Sequence, residues 1–205
     1  MIGFAAISGN GAGSEQPSVH DVRKRHPKFI EALLADARVA GAFRGERFSF
    51  DSKLDGVLQA LRLMVVTDAF LALAAYRAKA RLQSLGVPLL PHLFQHIAIM
   101  AGHISIGDPV LVQPGVHISH GYVVIDGFTE VESGAILAPW VTIGLIGTSM
   151  VGPTIGPHAR IGTGAKVLGQ IELGAGSRVA ANSVVLSDVP DGSTVVGNPA
   201  KTVAD

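Results

Sequence analysis

From Ile106 onward the chain carries an aliphatic residue at every sixth position: Ile106, Val112, Ile118 and Val124, then, after one extra residue, Val131, Leu137 and Ile143. After an interruption the register resumes at Ile155, Ile161, Val167, Leu173, Val179 and Val185. The residue four places further on is small or apolar in nearly every hexad, as at Val110, Val116, Ala135, Ala159 and Ala165. Glycine often follows the repeat residue, at 107, 144, 156, 162 and 174. A helix repeats every 3.6 residues, and simple strand alternation would not single out every third inward position. A six-residue repeat is the signature of a parallel β-helix, in which each hexapeptide makes one short strand and one corner. Residues 104–190 are therefore expected to form about five coils of about 18 residues each. The break at "GLIGTSMVGPT" separates Ile143 from Ile155 by two hexads and puts Ser149 where an aliphatic is due. It predicts a loop, 144–154, extruded from the prism while the coil resumes in phase. Extruded loops on rigid scaffolds often carry function.

The first hundred residues have a different period. Residues 1–20 are Gly/Ser-rich and read as a flexible N-terminus. Residues 21–103 read as an α-helical domain. "HPKFIEALLADARVA" (26–40) gathers Phe29, Leu33, Ala37 and Ala40 on one face, with a proline near its start. The stretch 51–86 is helical with a break expected near Thr67–Asp68, and it closes with Arg77, Lys79, Arg81 and Gly86, basic residues suited to the negative end of a helix dipole. "LPHLFQHIAIMAG" (90–102) reads as a further short helix. His92 and His96 on it have a spacing zinc can use, but no Glu follows His92 as in HExxH, and packing or helix-end contacts are the expectation. The fold class is thus α+β, a helical region followed by a parallel β-helix, closed by a C-terminal tail, 191–205.

Composition narrows the functions. Lys plus Arg and Asp plus Glu both number 16, so the net charge is zero, without the basic excess that phosphate neutralisation asks of a nucleic-acid binder. No polybasic run suits an anionic membrane. The most apolar stretch, 63–76, carries Asp68 and falls short of the about 20 residues a bilayer needs. The first residues lack the basic region and long apolar run of a signal peptide. Cysteine is absent, which removes disulfides, thiolate metal sites and a Cys nucleophile, and fits a cytoplasmic location.

Three stretches carry a more specific resemblance: "ISHGYVVIDG" (118–127), "IGTGAKVLGQIELGAGSRVAANSVV" (161–185) and "GNPAK" (197–201). Over residues 90–203 the chain resembles the hexapeptide-repeat acyltransferases, and most of all their serine O-acetyltransferase branch. The resemblance implies a left-handed β-helix, an exception to right-handed crossovers, and an acetyl-CoA-dependent transfer to a hydroxyl of a small molecule. It implies a homotrimer with acetyl-CoA between neighbouring prisms, and possible further assembly into a hexamer through the helical half. His120 stands at the family's general base, suited to take a proton from the acceptor hydroxyl near neutral pH. His117 matches no catalytic position and is expected to decorate a corner. Gly144, Thr163 and Ala181 fall at positions expected along the cofactor, and Lys201 and Lys166 are candidates for its phosphates. No metal is expected.

The departures matter as much. Ser119 and Ser105 stand where the serine-specific enzymes place acids, one before the base and one to orient it, so both are candidates for acceptor contacts. Asp108 is near in sequence but is expected elsewhere on the coil. Val151, Gly152 and Pro153 replace an Arg–His–Pro that grips the substrate carboxylate, and such residues cannot make a charge-assisted pair. The acceptor is therefore L-serine or, given these losses, a sugar or natural-product hydroxyl. Two other readings stay open: a non-catalytic trimeric scaffold, and a metal-dependent hydratase of the γ-carbonic-anhydrase type using His117, His120 and His158.

Overall fold

The computed structural model describes residues 18–46 and 49–203, so most of the expected flexible N-terminus lies outside the described residues. Helix α1 (Val19–Arg25) opens the described chain, with the Ser18 hydroxyl accepting from the Asp21 N–H. It is followed by α2 (Phe29–Phe43), α3 (Lys53–Val66), α4 (Phe70–Ser84) and α5 (Leu90–Gly102). The expected break is present: α3 ends at Val66 and α4 starts at Phe70, with Thr67 extended between them. Gly86, at φ +71°, follows the end of α4 as a left-handed stop.

From Ile104 three parallel faces stack into a left-handed β-helix of about five turns. The first face stacks β1 (Ile104–Ile106), β4 (Val123–Ile125), β7 (Thr142–Gly144), β10 (Lys166–Leu168) and β13 (Val184–Val185). The second stacks β2 (Leu111–Val112), β5 (Phe128–Val131), β8 (Val151–Ile155) and β11 (Glu172–Leu173). The third stacks β3 (His117–Ile118), β6 (Ile136–Leu137), β9 (Arg160–Ile161), β12 (Arg178–Val179), β14 (Thr194–Gly197) and β15 (Ala200–Val203). The last pair is antiparallel, so part of the expected tail is a hairpin that caps the open end.

The repeat aliphatics form columns inside the prism. On the first face Ile106, Ile125, Ile143, Val167 and Val185 are each 2% exposed or less. Here the register corrects the sequence reading. Ile106 stacks on Ile125, and Val124, taken as the repeat residue, turns outward at 43% exposed. The extra residue therefore lies between Ile118 and Ile125, in the corner that holds His120, rather than after Val124. Adjacent valine and isoleucine satisfy the period equally well, and only the stacking decides between them. The insertion is also shorter than expected. Residues 146–150 are exposed, but Val151 already pairs with Phe128 as part of β8.

The helical half is bolted to the first coils by buried charge. Arg77 and Lys79, read from sequence as helix-end cations, are buried. Arg77 forks onto Asp36 of α2 at 2.8 and 3.1 Å and donates to the carbonyls of Val112 and Gln113. Lys79 donates to the Ile106 carbonyl at 2.6 Å and pairs with Asp108 at 3.0 Å. The partners lie far away in sequence, which no local pattern reveals. His92 and His96 are exposed rather than packed, and the His96 ring contacts the His92 carbonyl at 2.7 Å.

Candidate active site

His120 lies in the lengthened corner between β3 and β4, where the third face turns into the first. Gly121 (φ +81°) and Tyr122 (φ +54°) are both left-handed there. Glycine is required at 121 because a Cβ would overlap the Gly102 carbonyl oxygen at the end of α5. The Tyr122 N–H donates to that same oxygen at 2.9 Å, which clamps the corner onto the helical half. Three rings stack up this edge: His103 on Tyr122 at 4.4 Å and Tyr122 on Trp140 at 5.1 Å. The sequence reading missed this ladder, although the spacing of the three residues follows the coil length.

The His120 side chain is 70% exposed, and its Nδ1 lies 3.3 Å from Oδ2 of Asp68, on the connection between α3 and α4. Neither Ser105 nor Ser119 takes that place. Ser105 stands half-buried on β1, and Ser119 is half-buried next to His120. Asp108, as expected, lies elsewhere and pairs with Lys79 and Arg23. His117 does not decorate a corner: it is half-buried in β3 with Phe43 stacked on it at 4.1 Å. Burial, and then the neighbouring His120, push its pKa down to about 4, so its ring is neutral at working pH.

A cavity of about 260 Å³ opens beside His120, between the helical half and the first coil. Phe70, Leu73 and Ile118 contribute apolar wall, and Arg44, Asp68 and Ser119 contribute polar groups. Arg44 is held by Glu46 at 2.9 Å and by the Val66 carbonyl. It has the character of a small-molecule pocket, apolar with a few convergent polar groups, at a volume just below the usual range of about 300–1,000 Å³.

The coils above His120 offer a flat edge. Thr163 stacks over Pro139 and Ala181 over Thr163, through Gly164 N–H to the Pro139 carbonyl (2.9 Å) and Asn182 N–H to the Thr163 carbonyl (2.8 Å). Both Thr163 and Ala181 are exposed. At about 4.8 Å per rung the edge from His120 to Ala181 spans about 14 Å. Lys166 joins it, its Nζ donating to the Trp140 carbonyl at 2.8 Å. Lys201 pairs with Val196 on the capping hairpin. Gly144 is not brought to this edge; it ends β7 on the far side of the first face, facing open space. Arg160 and Arg178 are exposed and stack on one another in the third face, a basic strip the sequence reading overlooked. Both occupy the place just before a repeat aliphatic, which is the signal that could have found them.

Val151, Gly152 and Pro153 lie in β8, where a Cβ at 152 would overlap the Thr129 hydroxyl. His158 lies past β8, between the second and third faces, away from the His120 corner. Among the described residues no group of three or more His, Cys, Asp or Glu side chains is placed to hold a metal ion.

Stacked hexapeptides with a histidine at a lengthened corner and a small-residue edge above it define a β-helix transferase architecture. Residues 152–187 match the family of bacterial transferase hexapeptides (six repeats). Serine acetyltransferase of Buchnera aphidicola is 30% identical over 196 residues, covering 86% of this chain and 71% of the relative. The crystal structure of Neisseria gonorrhoeae serine acetyltransferase in complex with serine aligns with a TM-score of 0.70 at 27% identity, covering 84% of this chain and 68% of that one. A serine acetyltransferase structure in complex with CoA aligns at 0.72 and 25% identity, covering 89% and 73%. The chain belongs to the serine acetyltransferase family. It spans 50–60% of the length of curated relatives from Synechococcus elongatus and Arabidopsis thaliana that it also matches.

Proposed function

We propose that the chain is an acetyl-CoA-dependent O-acetyltransferase in which His120 is the general base. The observation that carries this reading is the placement of His120, at the mouth of a small-molecule cavity and at the foot of the exposed edge formed by Thr163 and Ala181. The small side chains of Thr163 and Ala181 suit the close approach of a pantetheine arm, with the Trp140 ring bounding the edge on the rung below them. Gly162 keeps it flat, since a Cβ there would lie 2.7 Å from the Ala181 nitrogen. Lys166, Lys201, Arg160 and Arg178 offer cations for the phosphates. Acetyl-CoA, when bound, supplies the activated acetyl group. His120 takes the proton of the acceptor hydroxyl as that oxygen attacks, and backbone N–H groups of the corner stabilise the developing oxyanion.

The acceptor is a small alcohol held in the cavity. The residues at 151–153 provide no cation for a carboxylate, which favours a sugar or natural-product hydroxyl over L-serine. The working form is a cytoplasmic homotrimer, and a hexamer is formed through the helical half. The outward ladder of the first face runs Ser105, Val124, Thr142, Lys166 and Val184; its first three rungs are small and uncharged, as a packing surface between copies would be. Leu54, Leu58, Leu61 and Val65 form an exposed apolar stripe along α3 that suits the second contact. No helix among the described residues is long and apolar enough to cross a membrane.

The test is thiol release from acetyl-CoA with L-serine and with a panel of sugar and small-molecule alcohols, beside His120→Ala. Release with an alcohol other than serine, lost in the variant, is the expected result. Release with L-serine would return the acceptor to the family's usual one. Turnover that survives His120→Ala would overturn the assignment of the base.

A further inference from the structure

We propose that Asp68 is the positioning residue of His120, so that the helical half supplies the carboxylate missing from the β-helix at Ser105 and Ser119. The inference rests on the reading of His120 as the base. Its foundation is the contact of Asp68 Oδ2 with His120 Nδ1 at 3.3 Å, between residues 52 apart in sequence. A carboxylate there accepts the Nδ1 proton. That fixes the tautomer and leaves the lone pair of Nε2 free to take the proton of an acceptor hydroxyl.

The backbone around the contact is built for it. Thr67 breaks the helix with extended geometry, and its N–H and hydroxyl both donate to the Leu63 carbonyl, which fixes the start of the connection. Gly102, at the end of α5, wedges between the connection and the corner. A Cβ at 102 would lie 2.9 Å from the Ala72 Cβ and 3.3 Å from the Asp68 carbonyl oxygen. On its other side the Gly102 carbonyl meets Gly121 and accepts from Tyr122. The two glycines thus let the connection and the corner both pack closely on one helix terminus, and a Cβ at either position would force a neighbour to shift.

The pair is not a structural ion pair. The Asp68 and His120 side chains are 76% and 70% exposed, and exposed pairs of this kind add little to stability. Removing the Asp68 carboxylate should leave folding unchanged and act at the site.

The experiment uses the full chain with Asp68→Asn, Asp68→Ala, Asp68→Glu and His120→Ala. Turnover is followed with acetyl-CoA and L-serine, or with whichever panel alcohol supports release. Removal of the carboxylate should lower kcat about 10- to 100-fold, part of the about 10²- to 10⁴-fold that general-base catalysis supplies, with the KM for acetyl-CoA and the melting temperature unchanged. Asp68→Glu should recover most of the loss. A second readout is independent of turnover. Imidazole ¹⁵N spectra of the histidine-labelled protein should show the neutral His120 ring protonated at Nδ1, shifting towards Nε2 in Asp68→Ala. Wild-type kcat and an unchanged tautomer in Asp68→Ala, beside an inactive His120→Ala, would overturn the role of Asp68 and leave the base in place. An active His120→Ala would remove both, because Asp68 would then have no base to position.

Discussion

The coupling of the two halves can be tested at Asp36 and Arg77. Their side chains are 1% and 2% exposed, and the guanidinium meets the carboxylate through two nitrogens at 2.8 and 3.1 Å. Each partner also reaches the first coil, Arg77 through the Val112 and Gln113 carbonyls and Asp36 by accepting the Gly115 N–H at 2.8 Å. Asp36→Ala leaves a buried guanidinium without its counter-charge and a buried amide without its acceptor. Breaking one side of such a pair costs about 3–5 kcal/mol, whereas exchanging both partners for apolar residues is often close to neutral. At about 2–4 °C per kcal/mol for a chain of this size, the melting temperature should fall by about 6–20 °C. The double variant Asp36→Leu/Arg77→Met should recover only part of that, because the uncompensated charge is gone but the Gly115 amide and the coil carbonyls stay without these partners. The assay is thermal unfolding by calorimetry and circular dichroism at fixed protein concentration, since assembly would otherwise shift the midpoint. A fall of less than about 2 °C in Asp36→Ala, measured on that same scale, would refute the reasoning. So would an early loss of helix signal with the β-helix transition unmoved, because the pair would then not join the halves.

Three further outcomes are expected. Ile125→Ala should cost about 2–5 kcal/mol as a buried truncation, and Val124→Ala clearly less; urea titration showing the reverse would return the extra residue to its place after Val124. His26, held at about 4 mainly by burial and then by Arg77, and His117, held at about 4, must remain neutral in the fold. Their folded values are depressed, so the stability linked to their neutral rings is full above the unfolded value of about 6.5, falls as pH drops, and that contribution is gone below about 4; the loss is about 3 kcal/mol for His26 and less for half-exposed His117. Urea midpoints between pH 7.5 and 4.5 measure it, and His26→Gln should flatten the slope. Arg160→Ala and Arg178→Ala should each raise the KM for acetyl-CoA about two- to fivefold, as expected of exposed charge pairs, with kcat unchanged; a fall in kcat at constant KM would count against phosphate contacts there.

What was legible in the sequence follows from which forces are local. The hexapeptide period names the inward column because burial of an aliphatic repeats with the backbone geometry, and the break at Thr67–Asp68 shows because a polar pair interrupts an apolar helix. The place of the extra residue was not legible, since Val124 and Ile125 are interchangeable by hydropathy and differ only in what stacks beneath them. Arg77 and Lys79 were misread for a related reason. A cation in the last turns of a helix has a sufficient local explanation in the dipole, and Asp36, Asp108 and the coil carbonyls that bury it are set by tertiary packing.

The carboxylate beside His120 is the instructive case. A repeat frame specifies a side chain only relative to its own coil, and the coil position where an orienting acid is expected holds Ser105. Asp68 lies outside that frame, and its one local sign was a lone carboxylate at the break in the most apolar stretch of the chain. The donor edge, by contrast, lies wholly within the frame: Thr163 and Ala181 are successive rungs of one corner. On the proposed reading the two substrates would meet different parts of the fold. Donor contacts would be set by the regular coils. Acceptor contacts would be shared between the first coil, at Ile118, Ser119 and His120, and the α3–α4 connection with Arg44, whose elements lie outside the coil stack. On this arrangement the helical half would change the acceptor while the β-helix keeps the donor, and substitutions at Arg44 should alter which alcohol is used before they alter the KM for acetyl-CoA.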